Sequence, residues 1–148
     1  MSHMGQFLAS YGLAAFAVDY RLLQGTHNRW PAQLDDVQRA VRWVRANAAK
    51  YGVSPNRIGA FGHSAGATLA SLLGMEETRD NSDASVAKYS SKVQAVVDVS
   101  GPSDFTTFLG PEDMAFLTNL FGAEYTKHLR FGVKLRLLFI YQRKFRRS

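Results

Sequence analysis

A serine with a glycine two places before it and two places after it, Gly62-His63-Ser64-Ala65-Gly66, constrains this chain more than any other feature. The pentapeptide stands between Arg57-Ile58-Gly59-Ala60-Phe61-Gly62, a short strand-like run entered from the turn Ser54-Pro55-Asn56, and Ala67-Thr68-Leu69-Ala70-Ser71-Leu72-Leu73, which reads as a helix stopping at Gly74. A strand that turns into a helix over one residue brings two backbones close together, and small residues on either side permit the approach. The serine at the apex then stands clear of the sheet, while the helix behind it points backbone N–H groups and its positive end at the same spot. The pattern predicts Ser64 on a tight turn, with a strand ending near Phe61 and a helix beginning near Ala65. The plainer alternative, Ser64 as an ordinary N-cap, leaves the paired glycines unexplained.

The segments around this turn alternate in type. Leu13 to Val18 is a continuous apolar run of strand length, as expected of a strand buried on both faces. Residues 22–30 show no period and contain Gly25 and Asn28, which makes them a loop. Pro31 stands at the first helical position, Asp35 and Asp36 lie in the first turns and Gly52 just past the end. Between them Leu34, Val37, Val41, Val44, Ala48 and Tyr51 recur at steps of three and four, giving a helix with one apolar stripe. Residues 75–91 are polar and read as a surface loop, Val93 to Val99 as a third strand, and Glu112 to Leu120 as a second short helix between Pro111 and Gly122. Strands and helices in alternation predict an α/β fold, a parallel sheet flanked by helices.

Charge is segregated. Of eighteen basic residues, eight follow Glu124, the last of twelve acidic ones, so residues 1–124 carry a net −2 although the whole 148-residue chain carries +6. The basic character belongs to the tail, residues 123–148, and gives no reason to expect nucleic acid or a membrane as partner of the rest. No apolar run approaches the ~20 residues of a membrane-spanning helix, and the first residues lack the pattern of a signal peptide, which reads as cytoplasmic. The absence of cysteine leaves the redox compartment open. Ser2-His3-Met4 reads as a vector-derived scar, residues 1–4, which leaves 5–122 as the domain.

The chemistry that a glycine-flanked serine on such a turn supports is nucleophilic attack, with the Ala65 N–H as one oxyanion donor. His63 is adjacent in sequence but points elsewhere on the turn, so it is read as filler rather than base. Asp104, past the third strand, and His128 both follow Ser64 in the chain; a turn residue in Gly-Pro-Ser-Asp and a surface histidine in a basic tail are the simpler readings of the two. Asp19 and Asp98, at strand ends, are expected to anchor loops or pair with arginines such as Arg21 or Arg57. Trp30 and Trp43 are expected to pack. Nothing in the sequence calls for a metal or a cofactor.

Taken together, AAFAVDYRL from Ala14 and WPAQLDDVQRAVRWVRANAAKYGVSPNRIGAFGHSAGATLASLLG from Trp30 resemble the esterase and lipase branch of the α/β-hydrolase fold, close to its hormone-sensitive-lipase-like and feruloyl-esterase-like carboxylesterases; VQAVVDVSGPSDF extends the likeness to Phe105. The resemblance implies that Ser64 is the nucleophile, Ala65 the second oxyanion donor, and Gly62, His63 and Gly66 the rest of the nucleophile elbow. It also implies a sheet of order 1-2-4-3-5-6-7-8, in which the three strands read here are the fourth, fifth and sixth. The strand between the fourth and fifth, the HGGG-type loop that supplies the other oxyanion donor, and the loops that carry the acid and base have no match in this chain. The expectation is therefore a partial α/β-hydrolase domain, truncated at both ends, with three strands and a possible fourth from the tail, where Val133 to Ile140 is strand-like.

Three functional expectations follow. The leading one is a serine carboxylesterase acting on small short-chain esters through an acyl-serine intermediate. The second is an inactive fragment that persists as a homo-oligomer, since a sheet lacking a strand exposes unpaired edges. The third is an anion-binding module that uses the basic tail.

Overall fold

The computed structural model describes residues 3–105 and 110–122. Its elements in chain order are α1 (His3–Ser10), α2 (Ala32–Ala46), a 3-10 turn (Ala48–Tyr51), β1 (Gly59–His63), α3 (Ala65–Met75), β2 (Ala95–Val99) and α4 (Pro111–Phe121). The strands β1 and β2 pair in parallel, Gly59 opposite Ala95 through His63 opposite Val99, with α3 as the crossover between them. A parallel pair requires such a crossover, and the helix covers the face of the sheet it crosses.

The core lies on that covered face. Leu34 and Val37 of α2 meet Leu69, Leu72 and Leu73 of α3 and Val93 ahead of β2, with Tyr20, Trp30, Val41, Ile58 and Ala60 packed around them. The apolar stripe of α2 is thus spent against α3, as its three- and four-residue spacing requires. The opposite face of the sheet carries Phe61, Val97 and Val99, all exposed. Behind α3 the chain returns to the sheet through an irregular stretch that α2 pins in place. Gln38 donates to the Glu77 carbonyl and accepts from the Arg79 N–H, Arg42 donates to the Asp80 and Val86 carbonyls, and Arg45 donates to those of Ser90 and Lys92.

Three expectations need correction. Among the described residues Leu13 to Val18 belongs to no sheet: the chain there is irregular and exposed, and the described sheet has two strands, not three. A strand exists only through its ladder, and in the sheet order implied by the resemblance this run is separated from β1 by one strand position. Gly74 does not stop α3, which continues to Met75. Its role is in packing, because a Cβ there would lie 2.7 Å from Val96 Cγ2. Residues His3–Ser10 form α1. Pro31 stands one place ahead of α2 rather than inside it. The strand-like segment 133–140 and His128 lie outside the described residues.

Candidate active site

Ser64 occupies the single residue between β1 and α3, at φ 53° and ψ −125°. A residue with a Cβ is rarely held at positive φ, and the cost is of order 1–3 kcal/mol. The neighbours that hold it there are identifiable. The Ser64 N–H donates to the Val99 carbonyl at 2.9 Å, which extends the β1–β2 ladder by one residue, and the Ser64 carbonyl accepts from Ala67 N–H at 2.9 Å and Thr68 N–H at 3.3 Å. The backbone of Ser64 therefore belongs to the sheet on one side and to the helix on the other, and its conformation absorbs the change of direction.

The two flanking glycines turn out to be unequal. A Cβ on Gly62 would lie 2.1 Å from the Gly66 carbonyl oxygen and 2.5 Å from the Ala67 nitrogen, so the strand can approach the helix only without one. A Cβ on Gly66 would meet nothing within 4 Å. The close approach expected of both residues is thus the work of a bare Gly62 against the backbone of Gly66.

The side chain of Ser64 is exposed and makes no capping hydrogen bond to α3, which disposes of the N-cap reading. Among the described residues the amides of Ala65 and Gly66 have no backbone acceptor, because Ala67 is the first to find one. Unpaired N–H groups therefore stand at the positive end of α3, next to Ser64 in the chain. His63 ends β1 with its side chain on the face opposite Gly62 and α3, since neighbours along a strand alternate.

Asp104 lies in the segment beyond β2, five residues after Val99, and His128 is outside the described residues. Asp98 anchors a loop: its carboxylate accepts from Ser71 Oγ and from the Gly101 N–H. Arg21 pairs with Asp36 rather than with Asp19, donating to both carboxylate oxygens at 2.7–3.0 Å and holding that carboxyl below its ordinary value. Trp30 packs on Phe121 and Trp43 on Tyr51. A cavity of about 600 Å³ opens between residues 16–19 and α2, lined by Phe16, Val18, Arg39 and Trp43 among others; Ser64 is not part of it. Among the described residues no three metal-ligating side chains cluster, and no helix is long and apolar enough to cross a membrane.

Comparison with known proteins agrees with this geometry. The BD-FAE family model matches residues 1–135. Esterase LipC of Mycobacterium tuberculosis is 35% identical over 111 residues, which are 74% of this chain and 27% of LipC. LipM of the same organism, a probable carboxylic ester hydrolase, is 36% identical over 106 residues, 72% of this chain and 23% of LipM. Among solved structures, an acetyl ester-xyloside bifunctional hydrolase from Caldicellulosiruptor lactoaceticus superposes with a TM-score of 0.66 at 30% identity, over 86% of this chain and 47% of that one. A thermophilic esterase from Thermogutta terrifontis with propionate bound gives a TM-score of 0.67 at 28% identity, over 80% and 44%. The chain thus spans about a quarter of the length of these curated relatives. With the family model matching residues 1–135 and esterase relatives 35–36% identical over about three quarters of the chain, the chain belongs to the BD-FAE family of α/β-hydrolase-fold carboxylesterases.

Proposed function

We propose that this chain carries the nucleophile of a serine carboxylesterase that cleaves small short-chain esters. The observation that carries the proposal is Ser64, an exposed hydroxyl held at φ 53° between a strand and the unpaired N–H groups of a helix. In the reaction, Ser64 Oγ attacks the ester carbonyl, its proton passes to a base and the carbonyl oxygen becomes an oxyanion facing Ala65 N–H. Collapse of the tetrahedral intermediate breaks the bond to the alcohol oxygen, which takes the proton, and leaves an acyl-serine. Water then attacks the acyl carbon by the same steps in reverse order, releasing the acid and restoring Ser64. The short acyl group is supported by the neighbours: the Thermogutta terrifontis enzyme holds propionate in one structure and butyrate in another, and an acetylxylan esterase of Xylanibacter ruminicola is 36% identical over 67 residues.

A second reading, a fold that retains the elbow without turnover, rests on a specific observation. Among the described residues no histidine or carboxylate bonds the Ser64 hydroxyl. Removing triad members from serine hydrolases leaves about 10³–10⁴-fold over water from the oxyanion hole and binding alone. Incubation of the purified chain with a fluorophosphonate ester separates the two readings without knowledge of the natural ester. The expected result is covalent mass on Ser64, absent in Ser64→Ala; a chain that stays unlabelled refutes the enzyme reading. Should labelling occur, His128→Ala and Asp104→Ala show whether these residues supply the base and the acid.

A further inference from the structure

We infer that Asp98 is a positioning residue for the nucleophile: its carboxylate fastens helix α3 to the turn after β2 and thereby holds Ser64 and the Ala65 N–H in register with each other. In its reactivity arm this rests on the proposed role of Ser64. Asp98 lies on β2 directly opposite Gly62, so its side chain shares the face of the sheet on which α3 lies. One carboxylate oxygen accepts from Ser71 Oγ at 2.7 Å and the other from the Gly101 N–H at 2.8 Å. No cation pairs with it among the described residues; both partners are neutral donors belonging to two different elements.

The consequences reach the elbow by short steps. Ser71 and Ala67 are buried on α3 one turn apart. The turn that Asp98 holds is pressed against that first helical turn, since a Cβ on Gly101 would lie 2.8 Å from Ala67 Cβ and within 2.8 Å of both Asp98 carboxylate oxygens. Thr68 Oγ1 adds a bond to the Pro102 carbonyl at 2.8 Å. Ser100, between these contacts and the strand, is itself at positive φ. Immediately before it, the Val99 carbonyl accepts from the Ser64 N–H. The segment 98–102 therefore grips the nucleophile's amide with one residue and the helix behind the nucleophile with three others. A strained backbone persists only where its surroundings over-determine it, and Asp98 is the member that joins helix, strand and turn at one side chain.

The test uses the full chain and the variants Asp98→Ala, Asp98→Asn and Ser71→Ala, with Val44→Ala, buried on α2 outside the core cluster that includes α3, as a core-destabilised control. Two quantities are measured per folded molecule: the fluorophosphonate inactivation constants kinact and KI, and the hydrogen-exchange rate of the Ser64 amide. A displacement of about 1 Å at a reacting group is worth about 10²-fold in rate. Asp98→Ala is therefore expected to lower kinact by about tenfold or more, with KI within about twofold, and to speed Ser64 amide exchange by about tenfold. Asp98→Asn keeps an acceptor for Gly101 N–H and a polar partner for Ser71, and is expected to recover both readouts to within about threefold. Ser71→Ala, which removes one of the two fastenings, falls between. If Asp98→Ala matches Val44→Ala in both readouts, or if Asp98→Asn is no better than Asp98→Ala, the inference is overturned. Should the unsubstituted chain not react with the probe, the catalytic reading fails, and amide exchange alone still decides whether Asp98 holds the elbow.

Discussion

The two glycines of the elbow offer a sharp test, because the motif treats them alike and the structure does not. In Gly62→Ala the new methyl would start 2.1 Å from the Gly66 carbonyl oxygen and 2.3 Å from its carbon. Comfortable contact is about 3.5 Å, so strand and helix must separate by an ångström or more. The obstacle is backbone on both sides, which cannot swing aside as the tip of a long side chain does. Overpacking of this kind costs typically about 1–3 kcal/mol, and in a chain of this size each kcal/mol lowers Tm by about 2–4 °C. The displacement falls on the turn that holds Ser64, the proposed nucleophile, so probe reactivity should drop by about 10²-fold even in the folded fraction. Gly66→Ala puts a methyl into open space on a helix, where alanine is favoured over glycine by up to about 1 kcal/mol. It should melt at the same temperature or a few degrees higher. Thermal unfolding followed by circular dichroism, with fluorophosphonate labelling alongside, reads both variants. Equal damage from the two substitutions, or a harmless Gly62→Ala, would refute the packing argument.

Three further outcomes are expected. Ser64→Gly should abolish labelling yet raise stability in urea by up to about 2 kcal/mol, since glycine relieves a strain of about 1–3 kcal/mol at φ 53° at an entropic cost of about 0.5–1 kcal/mol. Arg42 is 2% exposed, and its guanidinium donates to the Asp80 and Val86 carbonyls. Arg42→Ala should therefore cost about 2–4 kcal/mol, through the cavity and the orphaned carbonyls, and open residues 77–92 to limited proteolysis. The carboxyl of Asp36 is held below its usual value of 3.8 by the hydrogen bonds from Arg21. Its contribution, about 0.2–1 kcal/mol for a partly exposed pair, should be complete above pH 4 to 5 and vanish as pH falls through the lowered value. The urea midpoints of the unsubstituted chain and Asp36→Asn should accordingly differ at pH 7 and converge near pH 2.

How much of this was legible in the sequence depended on how local each feature is. The helix α2 announces itself because one face repeats every three or four residues, and Leu34, Val37 and Val44 are indeed buried, whereas the last two members of the stripe, Ala48 and Tyr51, fall in the 3-10 turn beyond it and Tyr51 is exposed. Leu13 to Val18 announces itself just as loudly as a strand and is none, because apolar content records what a segment would bury and not whether a partner ladder lies beside it. Gly74 looks like a helix stop, and only the position of Val96, twenty-two residues on, shows that it is a packing glycine. The clamp of Gln38, Arg42 and Arg45 on the stretch behind α3 leaves no pattern at all, since side chains that bond to backbone carbonyls place no demand on the identity of the residues they hold.

The same distinction separates the two halves of the candidate site. A nucleophile elbow is encoded within five residues, because its strain, its close backbone approach and its exposed helix end are all consequences of reversing from strand to helix at one position. An acid and a base are only required to arrive at that position from loops elsewhere, and any aspartate or histidine in the right chain order satisfies the sequence. Asp104 and His128 meet that weak criterion, whereas Asp98, read merely as a loop anchor at a strand end, proves to have a place fixed by geometry: opposite Gly62, bonded to Ser71 and Gly101, one residue from the carbonyl that holds the Ser64 amide. The residues that fix where a nucleophile stands can thus be found from the elbow outward, bond by bond. Those that take its proton have to be found by reaction, which is why labelling at Ser64 comes before any assignment of its partners.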